Sequence, residues 1–78
     1  MTIERNSLLK GLGEHISKHR KRRGVTIEAL SDRSGLSQGN LSEIERGRRD
    51  PRYSTLLAIA DGLNMSFADL TNVRPDRR

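Results

Sequence analysis

His15 and His19 stand one helical turn apart, a spacing that can clamp a metal ion between two imidazoles. A stable site needs further ligands, and the chain has no third histidine and no cysteine. The pair is therefore read as two surface histidines, and no metal or other cofactor is expected. A second set, Gln38, Asn40, Ser42 and Glu43, crowds amide, hydroxyl and carboxylate groups into one short stretch. These groups can donate and accept hydrogen bonds, but no nucleophile stands beside a base. Phosphate-cradling glycine loops are missing too, and so small a body cannot enclose a substrate pocket, so an enzyme is excluded. Basic side chains lie to either side: the run Lys18 to Arg23 ahead, and Arg46, Arg48, Arg49 and Arg52 behind. The net charge of +5 suits a polyanionic partner. Many small proteins are basic, so charge alone does not select nucleic acid.

The polar set needs a rigid support, and its flanks supply one. Thr26 can cap a helix by accepting from a free backbone N–H, and Leu30 gives that helix an inward side chain. Gly35 stops it, because glycine enters the left-handed conformation without a Cβ penalty. Leu36 plugs the turn and Ser37 caps a second helix, Gln38 to Arg46, in which Leu41 and Ile44 share one face. Gly47 ends it. Two short helices about a glycine-containing turn, the second with a polar outer face, read as a helix-turn-helix, a motif in which the second helix lies in the DNA major groove.

The rest of the chain must build one small core around that unit. Its 78 residues are enough for a single domain near the lower size limit. Tyr53 and Phe67 are the only aromatic residues, so Leu, Ile and Ala carry the packing and the fold is expected to be all-α. Leu8, Leu12 and Ile16 recur every fourth residue along a first helix, with Arg20 on the same line. Gly24 ends that helix and Val25 packs into the junction. Pro51 bars continuation of the second short helix, and Leu56, Ile59, Ala60 and Leu63 mark a fourth helix from about Tyr53. Asn64 takes the left-handed position after it. Ser66 to Asp69 reads as a capping box opening a short fifth helix. The expected organisation is a flexible N-terminus over 1–7, a binding domain over 8–71 and a flexible basic tail over 72–78. Lack of cysteine fits a reducing cytoplasm, and no apolar run reaches the length of a signal or membrane segment.

Gly24-Val25-Thr26, Leu30, Ser34-Gly35-Leu36-Ser37, Leu41-Ser42-Glu43-Ile44-Glu45-Arg46-Gly47 and Pro51 resemble the phage repressor/Cro-like helix-turn-helix family. The run Leu56 to Ala60, Leu63 and Ser66 to Leu70 continues the resemblance, which covers about Leu8 to Leu70. It implies a compact five-helix bundle of the lambda-repressor-like DNA-binding fold. It also implies a partly buried ion pair between Arg20 and Glu45. Double-stranded DNA is the implied partner. Base contacts then fall to Gln38, Gly39, Asn40, Ser42 and Glu43, and phosphate contacts to Thr26, Ser37, Arg46, Arg48, Arg49 and Arg52. Gln38 is the strongest reader, since its amide can pair bidentately with adenine. Glu43 could accept from a cytosine amino group or simply be solvated. Gly39 either lets the backbone approach DNA or shifts reading onto its neighbours.

The family's dimer contacts put Phe67 and Leu70 at a homodimer interface, with core packing as the alternative for both and the stronger one for Leu70. Besides Gly39, which gives up a side chain where the family commonly touches bases, this chain departs from the family at Ile27, which replaces a glutamine that contacts a phosphate and braces the recognition helix, at Ser31, which replaces a small residue, usually Ala, and at Arg52, which replaces a Ser/Thr/Asn cap. Ile27 is either an exposed apolar residue or part of the core, and the Ser31 hydroxyl is expected to bond back to the preceding turn. The expected function is a homodimeric transcriptional regulator, most simply a repressor of a palindromic operator, bacterial or phage-encoded and cytoplasmic. No membrane and no small-molecule ligand are expected, and single-domain length disfavours an attached sensing domain. The alternative is an antitoxin or adaptor that uses the same fold to bind protein.

Overall fold

In chain order the helices are α1 (Arg5–Arg22), α2 (Ile27–Ser34), α3 (Gln38–Glu45), α4 (Tyr53–Gly62) and α5 (Phe67–Thr71). This computed structural model describes residues 4–73, so most of the expected basic tail and the first three residues of the chain lie outside the described residues. Local chemistry sets most boundaries. The Thr26, Ser37 and Ser66 hydroxyls accept from the backbone N–H of Ala29, Asn40 and Asp69 at 3.0, 3.1 and 3.0 Å. Each cap stabilises its helix by about 1 kcal/mol. Left-handed residues close the other ends: Gly35 follows α2 at φ +77° and Asn64 follows α4 at φ +56°.

Two boundaries differ from expectation. The pattern of leucines begins at Leu8, yet α1 begins at Arg5, because an exposed first turn needs no apolar residue. Residues 5–7 of the expected flexible N-terminus are thus helical, and Leu8 itself is 40% exposed. At α3, Arg46 is the C-cap residue and the helix ends at Glu45.

Ile16, Val25, Leu30, Leu41, Ile44, Ile59, Ala60, Leu63 and Leu70 form the buried core, with Leu12, Ile27 and Leu56 packed against it. Ile27 therefore joins the core margin. Leu70 is fully buried within the single chain, which removes it from the expected dimer contacts. A one-turn helix has no room for two opposed apolar faces, and Leu70 is the side chain that turns inward. His15 donates from Nε2 to the Asp69 carbonyl at 3.0 Å, tying α1 to α5. His19 accepts at Nδ1 from Arg23 at 3.0 Å. Desolvation, then His15, Arg23, Arg22 and Lys18, hold its pKa below the usual histidine range, which suits that acceptor role.

α1 meets the end of α3 through charge and close backbone contact together. Arg20 Nε–H donates to Glu45 Oε2 at 2.7 Å and its Nη2 to Oε1 at 3.0 Å, while Nη1 donates to the Val25 carbonyl at 2.8 Å. The two side chains are 11% and 10% exposed. Such a bidentate pair fixes distance and angle as well as energy. Beside it, a Cβ on Gly13 would collide with the carbonyl oxygens of Ile44 and Glu45. Gly47, at φ +75°, would place one 2.7 Å from Lys10 Cα. Glycine at both points lets the two backbones touch.

Arg20→Leu should lower stability by about 3–5 kcal/mol in urea unfolding, since it leaves the Glu45 carboxylate buried and unpaired. The double variant with Glu45→Leu should be more stable than the single one; equal loss in both would show that packing rather than stranded charge dominates. Gly13→Ala should destabilise by about 1–3 kcal/mol through overpacking, despite alanine's better helix propensity. An unchanged urea midpoint would mean that α1 can move away from α3 without penalty.

Candidate nucleic-acid interface

The turn between α2 and α3 is held by its own small residues. Gly35 N–H donates to the Ser31 carbonyl at 2.9 Å and Leu36 N–H to the Ser34 hydroxyl at 3.2 Å. The Ser31 hydroxyl donates forward across the turn to the Leu36 carbonyl, not back to the preceding turn as expected. Its small volume also suits a site where α2 passes close to its neighbours. Leu36 packs on the core, so the turn cannot swing. α3 leaves it with one orientation.

Leu41 and Ile44 anchor α3, at 0% and 1% exposure. At 100° per residue, Gly39, Glu43 and Arg46 fall along the opposite, outermost line, with Gln38 exposed at the leading end. Among the described residues nothing lies within 4 Å of a Cβ built on Gly39, so no contact among them requires glycine there. The outer line thus begins with bare backbone. Its next member, Glu43, stands beside two arginines. The carboxylate lies 3.6 Å from Arg46 Nη1 and 3.7 Å from Arg48 Nη1.

Asn40 and Ser42 are half-buried on the flanks of the outer line. Asn40 lines a cleft of about 300 Å³ together with Ile44, Arg49, Asp50, Pro51, Arg52, Ser54 and Thr55. The start of α4 forms one wall, and Arg52 at its N-cap makes no side-chain cap bond, as its departure from the usual cap residues leads one to expect. Uncapped N–H groups and the positive end of the helix dipole therefore combine with two guanidinium groups and two hydroxyls, a setting that attracts anionic oxygen. Neither Ser54 nor Thr55 was assigned a phosphate-facing role from the sequence. The signal was present: a helix start lacking a cap, followed at once by two hydroxyl residues.

Arg46, Arg48, Arg49 and Arg52 are all exposed. Thr26 and Ser37 are exposed too, and each uses its hydroxyl oxygen as a cap acceptor, leaving the O–H free to donate to a phosphate. The structure thus gathers Gln38 and Gly39, two of the expected base contacts, at the head of α3, places Asn40 in the basic cleft, and sets Glu43 beside Arg46 and Arg48.

A model of the helix-turn-helix family HTH_3 matches residues 16–70. The HTH-type transcriptional regulator y4dJ of Sinorhizobium fredii is 41% identical over 61 residues, covering 78% of this chain and 79% of that protein. The immunity repressor of Bacillus phage phi105 is 39% identical over 57 residues, which are 73% of this chain but 40% of the repressor. This chain therefore spans less than half of that relative's length. Among solved structures, the restriction-modification controller protein C.AhdI from Aeromonas hydrophila is similar with a TM-score of 0.76 at 28% identity, covering 81% of this chain and 94% of that one. With the family model matching from α1 to α5 and the fold shared with a solved controller protein, the chain belongs to the HTH_3 helix-turn-helix family of Cro/C1-type DNA-binding transcriptional regulators.

Proposed function

We propose that the protein represses transcription by binding a palindromic operator as a homodimer, with α3 of each chain in the major groove. The observation that carries this reading is the polar outer face of α3 bordered by the cleft of Asn40, Arg49, Arg52, Ser54 and Thr55. A groove-docked helix needs base-reading groups in the middle and anion-binding groups along the edge. Gln38 reads a base, Gly39 lets the backbone approach the groove floor, and the cleft holds a phosphate. Arg46, Arg48, Thr26 and Ser37 supply further phosphate contacts. An antitoxin or adaptor would instead use this face for protein, and a surround of four arginines suits a polyanion better. Occlusion of a promoter requires nothing beyond binding, which favours repression, at the DNA of the cytoplasm.

One such domain reads too few bases for tight and selective binding, so two copies are required. With Leu70 withdrawn into the core, Phe67 keeps its place at the dimer face and gains neighbours. Its ring lies 4.9 Å from that of Tyr53, which is 65% exposed, and Leu57 is 40% exposed one turn further along α4. Two-fold pairing there sets the recognition helices about 34 Å apart on one side of the duplex.

Selection from a random duplex pool, with sedimentation of the enriched complex, should yield a palindrome carrying two chains. Enrichment of no motif would move the protein-binding alternative ahead. Gln38→Ala should weaken the selected site by about 1–3 kcal/mol and relax one base position. If the selected motif stays the same, base reading lies elsewhere. Gly39→Ala should raise stability by about 1 kcal/mol through helix propensity while weakening operator binding. Tighter folding with unchanged binding would show that no DNA backbone comes close at Gly39.

A further inference from the structure

Glu43 sits in the middle of the outermost line of α3, where a negative charge repels the DNA phosphates that flank a groove-docked helix. Its geometry accounts for its presence in another way. α3 ends in a paired motif: Gly47 N–H donates to the Ile44 carbonyl at 3.0 Å and Arg48 N–H to the Glu43 carbonyl at 2.9 Å. The left-handed Gly47 turns the chain back, so that Arg48 returns alongside Glu43. Glu43 thereby holds Arg48 twice, through its carbonyl to the backbone and through its carboxylate to the guanidinium at 3.7 Å. The same carboxylate oxygen lies 3.6 Å from Arg46. The guanidinium-bearing side chains are 63% and 65% exposed, and that of Glu43 is 30% exposed.

We propose that Glu43 is a specificity-determining positioning residue: it clamps Arg46 and Arg48 beside the reading helix and withholds one unit of charge from non-cognate DNA. The inference rests on the DNA-binding reading given above and assigns Glu43 a role other than base contact. Two unclamped arginines would reach any phosphate within the length of their side chains, whatever the sequence. Paired with Glu43, they are biased toward positions beside α3, which lie nearest to phosphates when α3 is seated on its site. The carboxylate cancels one of the two charges, so fewer counterions are displaced from a random duplex. Affinity for the operator depends on seating and changes little; affinity for everything else is held down.

Glu43→Gln removes the charge and keeps the size. Because the ion pairs are largely solvated, the variant should melt with the wild type. Binding is then measured by fluorescence anisotropy across a range of potassium chloride, on a random-sequence duplex and on the site enriched from a randomised pool. The variant should bind the random duplex about tenfold more tightly at 0.1 M salt, with a log–log salt slope steeper by about one. Its affinity for the enriched site should stay within about twofold, so that the ratio of the two falls about tenfold. Adding Arg48→Ala to the variant should return random-duplex binding close to wild type. Equal gains on both duplexes would overturn the clamp in favour of bulk charge. A changed preference at one base pair in sites selected by Glu43→Gln would overturn it in favour of base reading. Wild-type protein that binds no duplex at low salt would bring down the DNA reading itself, and the clamp with it; a wild type that binds while Glu43→Gln behaves identically brings down the clamp alone.

Discussion

The contact between α1 and the end of α3 governs the placement of everything that faces outward. Arg20 spans it with two hydrogen bonds to Glu45 and a third to the Val25 carbonyl, so one guanidinium joins the first helix, the third helix and the junction before α2. Charge of this kind is expensive to bury and stabilises little against an apolar replacement. What it supplies is a fixed distance and angle. A leucine-to-leucine contact would tolerate some sliding of α3 along α1; a bidentate pair does not. Gly13 and Gly47 complete the constraint by bringing the two backbones together at points where any side chain would hold them apart.

From that contact outward, each layer of the interface depends on the one before it. The orientation of α3 sets which residues share its outer line. Its ending at Gly47 then sets where the following arginines emerge, and the start of α4 beyond Pro51 forms the wall of the cleft. The polar groups of the site come from separate elements, yet they occupy one connected surface because a short turn on one side and a short loop on the other leave little freedom.

The features most legible in the sequence are those whose cause lies within one helical turn. Thr26, Ser37 and Ser66 cap their helices because each hydroxyl reaches an N–H three residues on, and Asn64 takes the left-handed position where α4 stops. The ion pair of Arg20 with Glu45 was indicated by family resemblance; the periodicity of α1 shows only that a charge occupies an apolar line. Gly13 could not be read as an anchor, since an isolated glycine within a helix looks merely destabilising until the helix crossing it is known. Core packing was the alternative reading for both Leu70 and Phe67 and the stronger one for Leu70, but a single turn does not by itself define an inward face. The nearness of Arg48 to Glu43 could not be read, because Arg48 comes alongside only through the fold-back at Gly47.

α3 has eight residues, one of them a glycine that lowers helix propensity, and a segment that short is not helical on its own in water. Its order is borrowed from Leu41 and Ile44 in the core and from Glu45 in its bridge to α1. Recognition and folding are therefore one cooperative property. A form that loses the core loses α3 with it, and any ligand that binds α3 in its folded state draws the whole domain toward that state by mass action.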